Sequence, residues 1–188
     1  MKSITVKEVI SSFLATNRAK SADIVSVIKS HNPDKELKAL LDSYQRLSRA
    51  SLFSLVSSRK RAQMFSQHSW TMENVKLKYI GTWPGTGDLP IEWCQLSVLD
   101  AAFMIRKNSS KSKNLKSVKR IHSIQENIDT ILKYFPPILI PGGSIRKIEN
   151  FLFLPFDADD GSHRLIAAAL SNKKSIRAYV GTTIANPS

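Results

Sequence analysis

A single cysteine, Cys94, in a chain of 188 residues excludes a disulfide framework and leaves no basis for a cysteine zinc site. Acid is also scarce: 15 Asp and Glu stand against 28 Lys and Arg, a net charge of +13. An excess of that size calls for a polyanionic partner. Nucleic acid fits better than an acidic membrane surface, because no segment joins a wide apolar face to a strongly basic one. No apolar run is long enough to cross a bilayer, and the N-terminus has no continuous hydrophobic signal core, so a cytoplasmic protein is expected. Gly-x-x-x-x-Gly-Lys-Ser/Thr and Gly-x-Ser-x-Gly are both missing, which removes P-loop nucleotide chemistry and the serine-hydrolase elbow. The histidines, at 31, 68, 122 and 163, lack the spacing of a helical zinc motif.

What is present divides near residues 68 to 74. Residues 1–72 read as a helical N-terminal region, and residues 73–188 as a second part in which strands and helices alternate, making the chain α/β (α+β). Val6, Val9, Ile10 and Phe13 form one apolar helical face, and Ile24, Val25, Val27 and Ile28 a second. Pro33 suits the first turn of a third helix carrying Leu37, Leu40, Leu41, Tyr44 and Leu47. Leu52, Phe53, Leu55 and Val56 belong to a fourth that runs into Arg59, Lys60 and Arg61. Beyond residue 70, the period-two alternation of Val75 to Ile80 predicts a strand, residues 81–90 are dense in turn formers, and Ile91 to Val98 reads as another strand.

Arg106 to Arg120 holds seven cations and no acid: Arg106, Lys107, Lys111, Lys113, Lys116, Lys119 and Arg120. Its Ser- and Asn-rich first half reads as a mobile loop, and the whole as a DNA-backbone contact that gains affinity by counterion release. The competing reading is a solvated basic loop. A helix from about Leu115 to Tyr134 follows, stopped by Pro136 and Pro137, then strands at Ile138–Ile140, at Phe151–Leu154 and at Ser175–Val180, with a loose tail over the last eight residues.

The most informative run is Phe151 to Leu170: an apolar strand, a charged turn, and an Ala-rich helix. Gly161 permits a sharp turn and close backbone approach to a ligand. The first amides of the helix after it have no intrahelical partner and lie at its positive dipole end, which makes a phosphate cradle. Gly161, Ser162, His163 and Arg164 are the nucleotide-binding candidates, Arg164 and His163 as phosphate donors. The plainer alternative is a surface turn in which Asp160 and Ser162 cap the helix. Asp157, Asp159 and Asp160 crowd the turn, so Asp157 and Asp159 are candidate ligands of Mg2+ or a similar divalent cation, the alternative being bonds to turn amides. Asp157, Asp159, Asp160, Glu149 and Arg164 are the catalytic candidates, with Glu126 as a further possible base.

Pro137 to Ile140 as a strand, Asp160-Gly161-Ser162-His163-Arg164 opening an Ala-rich helix, and Ser175 to Val180 as closing strand resemble the ParB/sulfiredoxin superfamily over residues 90 to 182. The resemblance implies a small mixed sheet with helices, and a Gly-x-x-Arg element, here Gly161 to Arg164, that holds nucleotide phosphates. Sulfiredoxins carry cysteine where this chain has Ser162, which argues against sulfinic-acid repair. Eighteen residues follow Leu170, too few for the helix-turn-helix that partitioning proteins append. Size, basicity and the N-terminal helices are most similar to the oncogenic-suppression, fertility-inhibition factors of conjugative plasmids. That likeness implies ATP and DNA as ligands, ATP hydrolysis with DNA cleavage as activities, and components of a type IV secretion or conjugation apparatus as possible partners. A free-serine kinase and a non-enzymatic DNA-binding adaptor remain as alternatives.

Overall fold

A computed structural model describes residues 2–21, 32–83, 86–95, 97–143 and 154–184. The chain is a mixed α/β protein with a helical N-terminal region. Its helices, among the described residues, are α1 (Val6–Ser21), α2 (Pro33–Gln45), α3 (Arg49–Leu55), α4 (Arg59–Ser66), α5 (Val98–Lys107), α6 (Ser109–Ser112), α7 (Lys116–Gln125), α8 (Ile128–Tyr134) and α9 (Ser162–Leu170). Six strands, β1 (Lys2–Ile4), β2 (His68–Lys76), β3 (Ile80–Gly81), β4 (Ile138–Pro141), β5 (Phe156–Asp160) and β6 (Ser175–Thr183), form one sheet in the order β1-β2-β6-β4-β5-β3. No helix among the described residues is long and apolar enough to cross a membrane.

Strand alternation assigns side chains to the two faces of the sheet. Leu139, Ile176, Ala178 and Val180 enter one core with α5, α7, α8 and α9. Ile138, Ile140 and Tyr179 enter the other, with Val9, Ile10, Phe13 and Leu14 of α1. Residues from both sides of position 72 meet in each core: Ala15, Ala19 and Leu37 pack in the first, and β1 pairs antiparallel with β2. The expected apolar face of α1 and the start of α2 at Pro33, capped by the Asn32 side chain, are observed. The face expected from Ile24 to Ile28 lies outside the described residues.

Several expectations are corrected. Ile91 to Val98 is not a strand: Ile91–Cys94 is a 3-10 turn, and α5 starts at Ser97 with a capping box, Ser97 and Asp100 bonding each other's backbone amides. Ser-x-x-Asp is a helix-start signal that outweighs the apolar run around it. Val75 to Ile80 is broken after Lys76: a 3-10 turn at Leu77–Tyr79 carries the chain to the opposite edge of the sheet, where Ile80 pairs with Phe156. The basic segment is helical from Arg106 to Lys107, from Ser109 to Ser112 and again from Lys116, not a mobile loop. Ser112, buried, bonds the Ile105 carbonyl, and the Asp88 carboxylate accepts from the Lys116 and Ser117 amides at 2.7 and 2.8 Å.

The helix expected from Leu115 to Tyr134 divides into α7 and α8, because Asn127 leaves helical geometry at φ −131°. Residues 151–153 lie outside the described residues. The strand before the turn is Phe156–Asp160, so the three acids are strand residues. Of the last eight residues, expected as a loose tail, Gly181 to Thr183 instead extend β6 opposite Trp70 to His68, and residues 185–188 lie outside the described residues.

Candidate functional site at the strand-to-helix junction

β5 delivers its acids to different places. Ala158 faces the core of α9, and alternation turns Asp157 and Asp159 to the other face. A register shift opposite Ile138 and Leu139 then brings Asp160 against Ile138. Asp157 is 2% exposed and does not reach the junction cavity. Asp159 accepts from Arg61 Nη2 at 3.2 Å, and that guanidinium also lies 5.0 Å from the centre of the Phe13 ring. Arg61, a third exposed, is thereby tethered to β5 and α1.

Gly161 has φ 101°, a left-handed conformation that only glycine adopts without strain. A Cβ there would lie 3.0 Å from both Arg164 Nη2 and Pro137 Cβ. The guanidinium of Arg164 and the ring of Pro137 therefore both come close to this glycine. Arg164 is 3% exposed; it donates to Asp160 Oδ2 at 2.5 Å and to the Phe135 carbonyl at the end of α8. Burial lowers its pKa, the Asp160 carboxylate opposes that shift, and the nearby positive charge of Arg120 adds to it. Asp160 thus pairs with a side chain one helical turn ahead, and the N-cap residue of α9 is Gly161, which has no side chain to bond an amide.

Arg164, whose Nε has no hydrogen-bond partner, lines a cavity of about 160 Å3 together with Asp159, Asp160, Gly161, Ser162 and His163. Thr16 of α1 and Arg120 and Ile124 of α7 complete the wall. Arg120, half-buried, makes no ion pair with any described residue. Small-molecule sites usually measure about 300–1,000 Å3. The junction cavity is smaller than that range. The Gly87–Asp88 turn closes over one side: a Cβ on Gly87 would sit 2.0 Å from Ser117 Oγ and 3.2 Å from His163 Nε2. The amides of Ser117 and Lys116 hold the Asp88 carboxyl below its usual pKa, so this turn is anchored to the start of α7.

Of the sequence-nominated residues, Asp159, Asp160, Gly161, Ser162, His163 and Arg164 converge. Glu149 lies outside the described residues. Glu126 is exposed and lines a different hollow, with His122 and Gln125. Among the described residues no three His, Cys, Asp or Glu side chains are grouped to hold a metal ion. With Asp159 bonded to Arg61 and Asp157 buried elsewhere, the described residues do not fit the divalent cation expected at Asp157 and Asp159. Arg106, Lys107, Lys111, Lys113, Lys116 and Lys119 are exposed on or beside α5 to α7. Arg120, the seventh cation expected to contact DNA, is half-buried and lines the junction cavity.

Sequence reasoning missed Arg120, Thr16 and the Gly87–Asp88 turn as parts of this site. A signal for the last existed: α7 begins after Leu115, which has no capping side chain, so its first amides required a partner from elsewhere in the chain. In comparisons with known proteins, no protein family, curated protein or solved structure matches this chain.

Proposed function

We propose that the junction binds the terminal phosphoryl group of a nucleotide, ATP in the first instance, and that the protein uses this site in acting on DNA held by its basic helices. The observation that carries this reading is Arg120: a half-buried guanidinium with no acid partner among the described residues, lining the cavity at the positive end of α9. Beside it, Arg164 is already committed to Asp160 and the Phe135 carbonyl. The division of labour is that Arg164 shapes the junction and Arg120 meets the anion, with Ser162 and His163 adding donors from the first turn. His163 and Asp159, both in the cavity wall, are the groups placed to orient water or take its proton. Exposed Lys107, Lys111, Lys113, Lys116 and Lys119 supply the electrostatic hold on the DNA backbone.

This reading agrees with the resemblance to the ParB/sulfiredoxin superfamily and extends it to the fertility-inhibition factors: ATP hydrolysis and DNA cleavage directed against conjugative or T-DNA transfer. A second reading, anion binding without turnover in an adaptor, draws support from the neutralisation of Asp160 by Arg164. One experiment separates them. ATP turnover and nicking of supercoiled plasmid are measured side by side for wild type and Arg120→Ala, with phosphate or ATP binding followed by calorimetry. Loss of binding, turnover and nicking in a variant of unchanged melting temperature supports the proposal. Wild-type binding without turnover supports the adaptor, and unchanged binding in Arg120→Ala removes the site.

A further inference from the structure

The opposite end of α9 opens onto a groove of about 740 Å3 whose wall carries Lys76, Lys78, Arg106, Lys173 and Lys174 and, among the described residues, no carboxylate. Its floor is apolar and unusually exposed: Leu99 is 38% and Phe103 59% accessible, one turn apart on the outer face of α5. Such side chains in a concave, cationic setting are set out to meet something other than water.

The fold keeps these cations available. Arg106 Nη2 donates to the Leu170 carbonyl at 2.7 Å and to Asn172 Oδ1 at 2.8 Å, which satisfies the final turn of α9 and offsets the negative end of its dipole. The groove beside that helix end is therefore left positive. Lys76 is held at the end of β2 in register with Ser175, and the Leu77 amide donates to the Lys174 carbonyl at 3.0 Å, so Lys76, Lys78 and Lys174 project from tethered backbone. Among the described residues, Lys173 is the only one of these cations with an acid partner, Asp129 at 2.6 Å.

We propose that this groove binds a short single-stranded stretch of nucleic acid, its phosphates on Lys76, Lys78 and Lys174 and one unpaired base stacked on Phe103. A cationic track with an aromatic platform is the arrangement that grips single strands irrespective of sequence. A duplex offers the lysines the same phosphates but hides its base faces, so Phe103 discriminates. A flat bilayer does not fit a concave site, and an acidic peptide brings carboxylates for the lysines but no unpaired base to stack on the projecting ring. The site is independent of the junction, which lies about 13 Å away along the nine residues of α9.

The test uses the full chain and fluorescence anisotropy with a labelled oligothymidylate, a duplex of matching length, and polyglutamate as competitor, across a salt series. Phe103→Ala is expected to weaken oligothymidylate binding by about fivefold or more and leave the duplex unaffected, with Phe103→Trp restoring the affinity. The triple variant Lys76→Gln, Lys78→Gln, Lys174→Gln should bind about tenfold or more weakly and lower the salt slope by about 2. All four positions are on the surface, and far-ultraviolet circular dichroism verifies folding. Equal losses on single strand and duplex in Phe103→Ala, an unchanged slope in the triple variant, or more effective binding of polyglutamate than of oligothymidylate would each overturn the proposal. Arg120→Ala should retain oligothymidylate affinity even if it loses nucleotide. A matching loss there would move the strand to the junction and equally overturn the groove.

Discussion

The two ends of α9 carry charge in opposite ways. At the start of the helix, charge is consumed by the fold: Arg164 is buried against Asp160 and a carbonyl, Arg61 is held by Asp159, and the remaining cavity of about 160 Å3 has Arg120 as its one cation without an acid partner among the described residues. At the far end, Arg106 satisfies helix carbonyls while Lys76, Lys78 and Lys174, around an exposed ring, have no acid partners among the described residues. The difference teaches that a conspicuous cation in a motif need not be the one that meets the ligand. Buried and doubly bonded, Arg164 is a structural element, and the cations available for binding stand beside the motif or across the helix from it.

That contrast can be broken by substitution. Arg164→Met should have the largest effect, about 3–5 kcal/mol of lost stability in urea denaturation, because it strands the Asp160 carboxylate in a buried site. Adding Asp160→Leu should recover most of the loss; if the single variant is as stable as wild type, the internal role of Arg164 is wrong. Gly161→Ala should cost about 1–2 kcal/mol, from the left-handed backbone and the contact with Pro137. At the other end, Arg106→Gln should cost about 0.5–1.5 kcal/mol, the value of hydrogen bonds made by an exposed side chain. A denaturation midpoint for Arg106→Gln as low as that for Arg164→Met would erase the distinction between the two ends.

Local chemistry was legible in advance where it is local. The left-handed glycine, the Ala-rich helix after it, Pro33 opening α2 and the buried strand at Ile138–Ile140 follow from backbone preference and short-range periodicity. The Ser97-x-x-Asp100 box is equally local and sets the start of α5 against the apolar residues near it. Less accessible was the course of the basic segment. Its lysines and serines look like loop text, yet Ser112 anchors to Ile105 and Asp88 caps α7 from 28 residues away. Nothing in the spacing of these residues encodes that contact. The same holds for Arg61 on Asp159, a pair separated by 98 positions.

Composition and order along the chain established the excess of positive charge, the alternation of helix and strand, and a turn whose glycine must take a left-handed backbone, because these depend on residue type and on neighbours within one or two turns. Which guanidinium is sealed inside and which faces a cavity was decided only by tertiary structure. Burial and ion pairing are properties of space: the fold sets Asp160 under Arg164, turns Arg120 to the junction cavity, and gathers lysines from β2, the turn after it and the segment after α9 around Phe103.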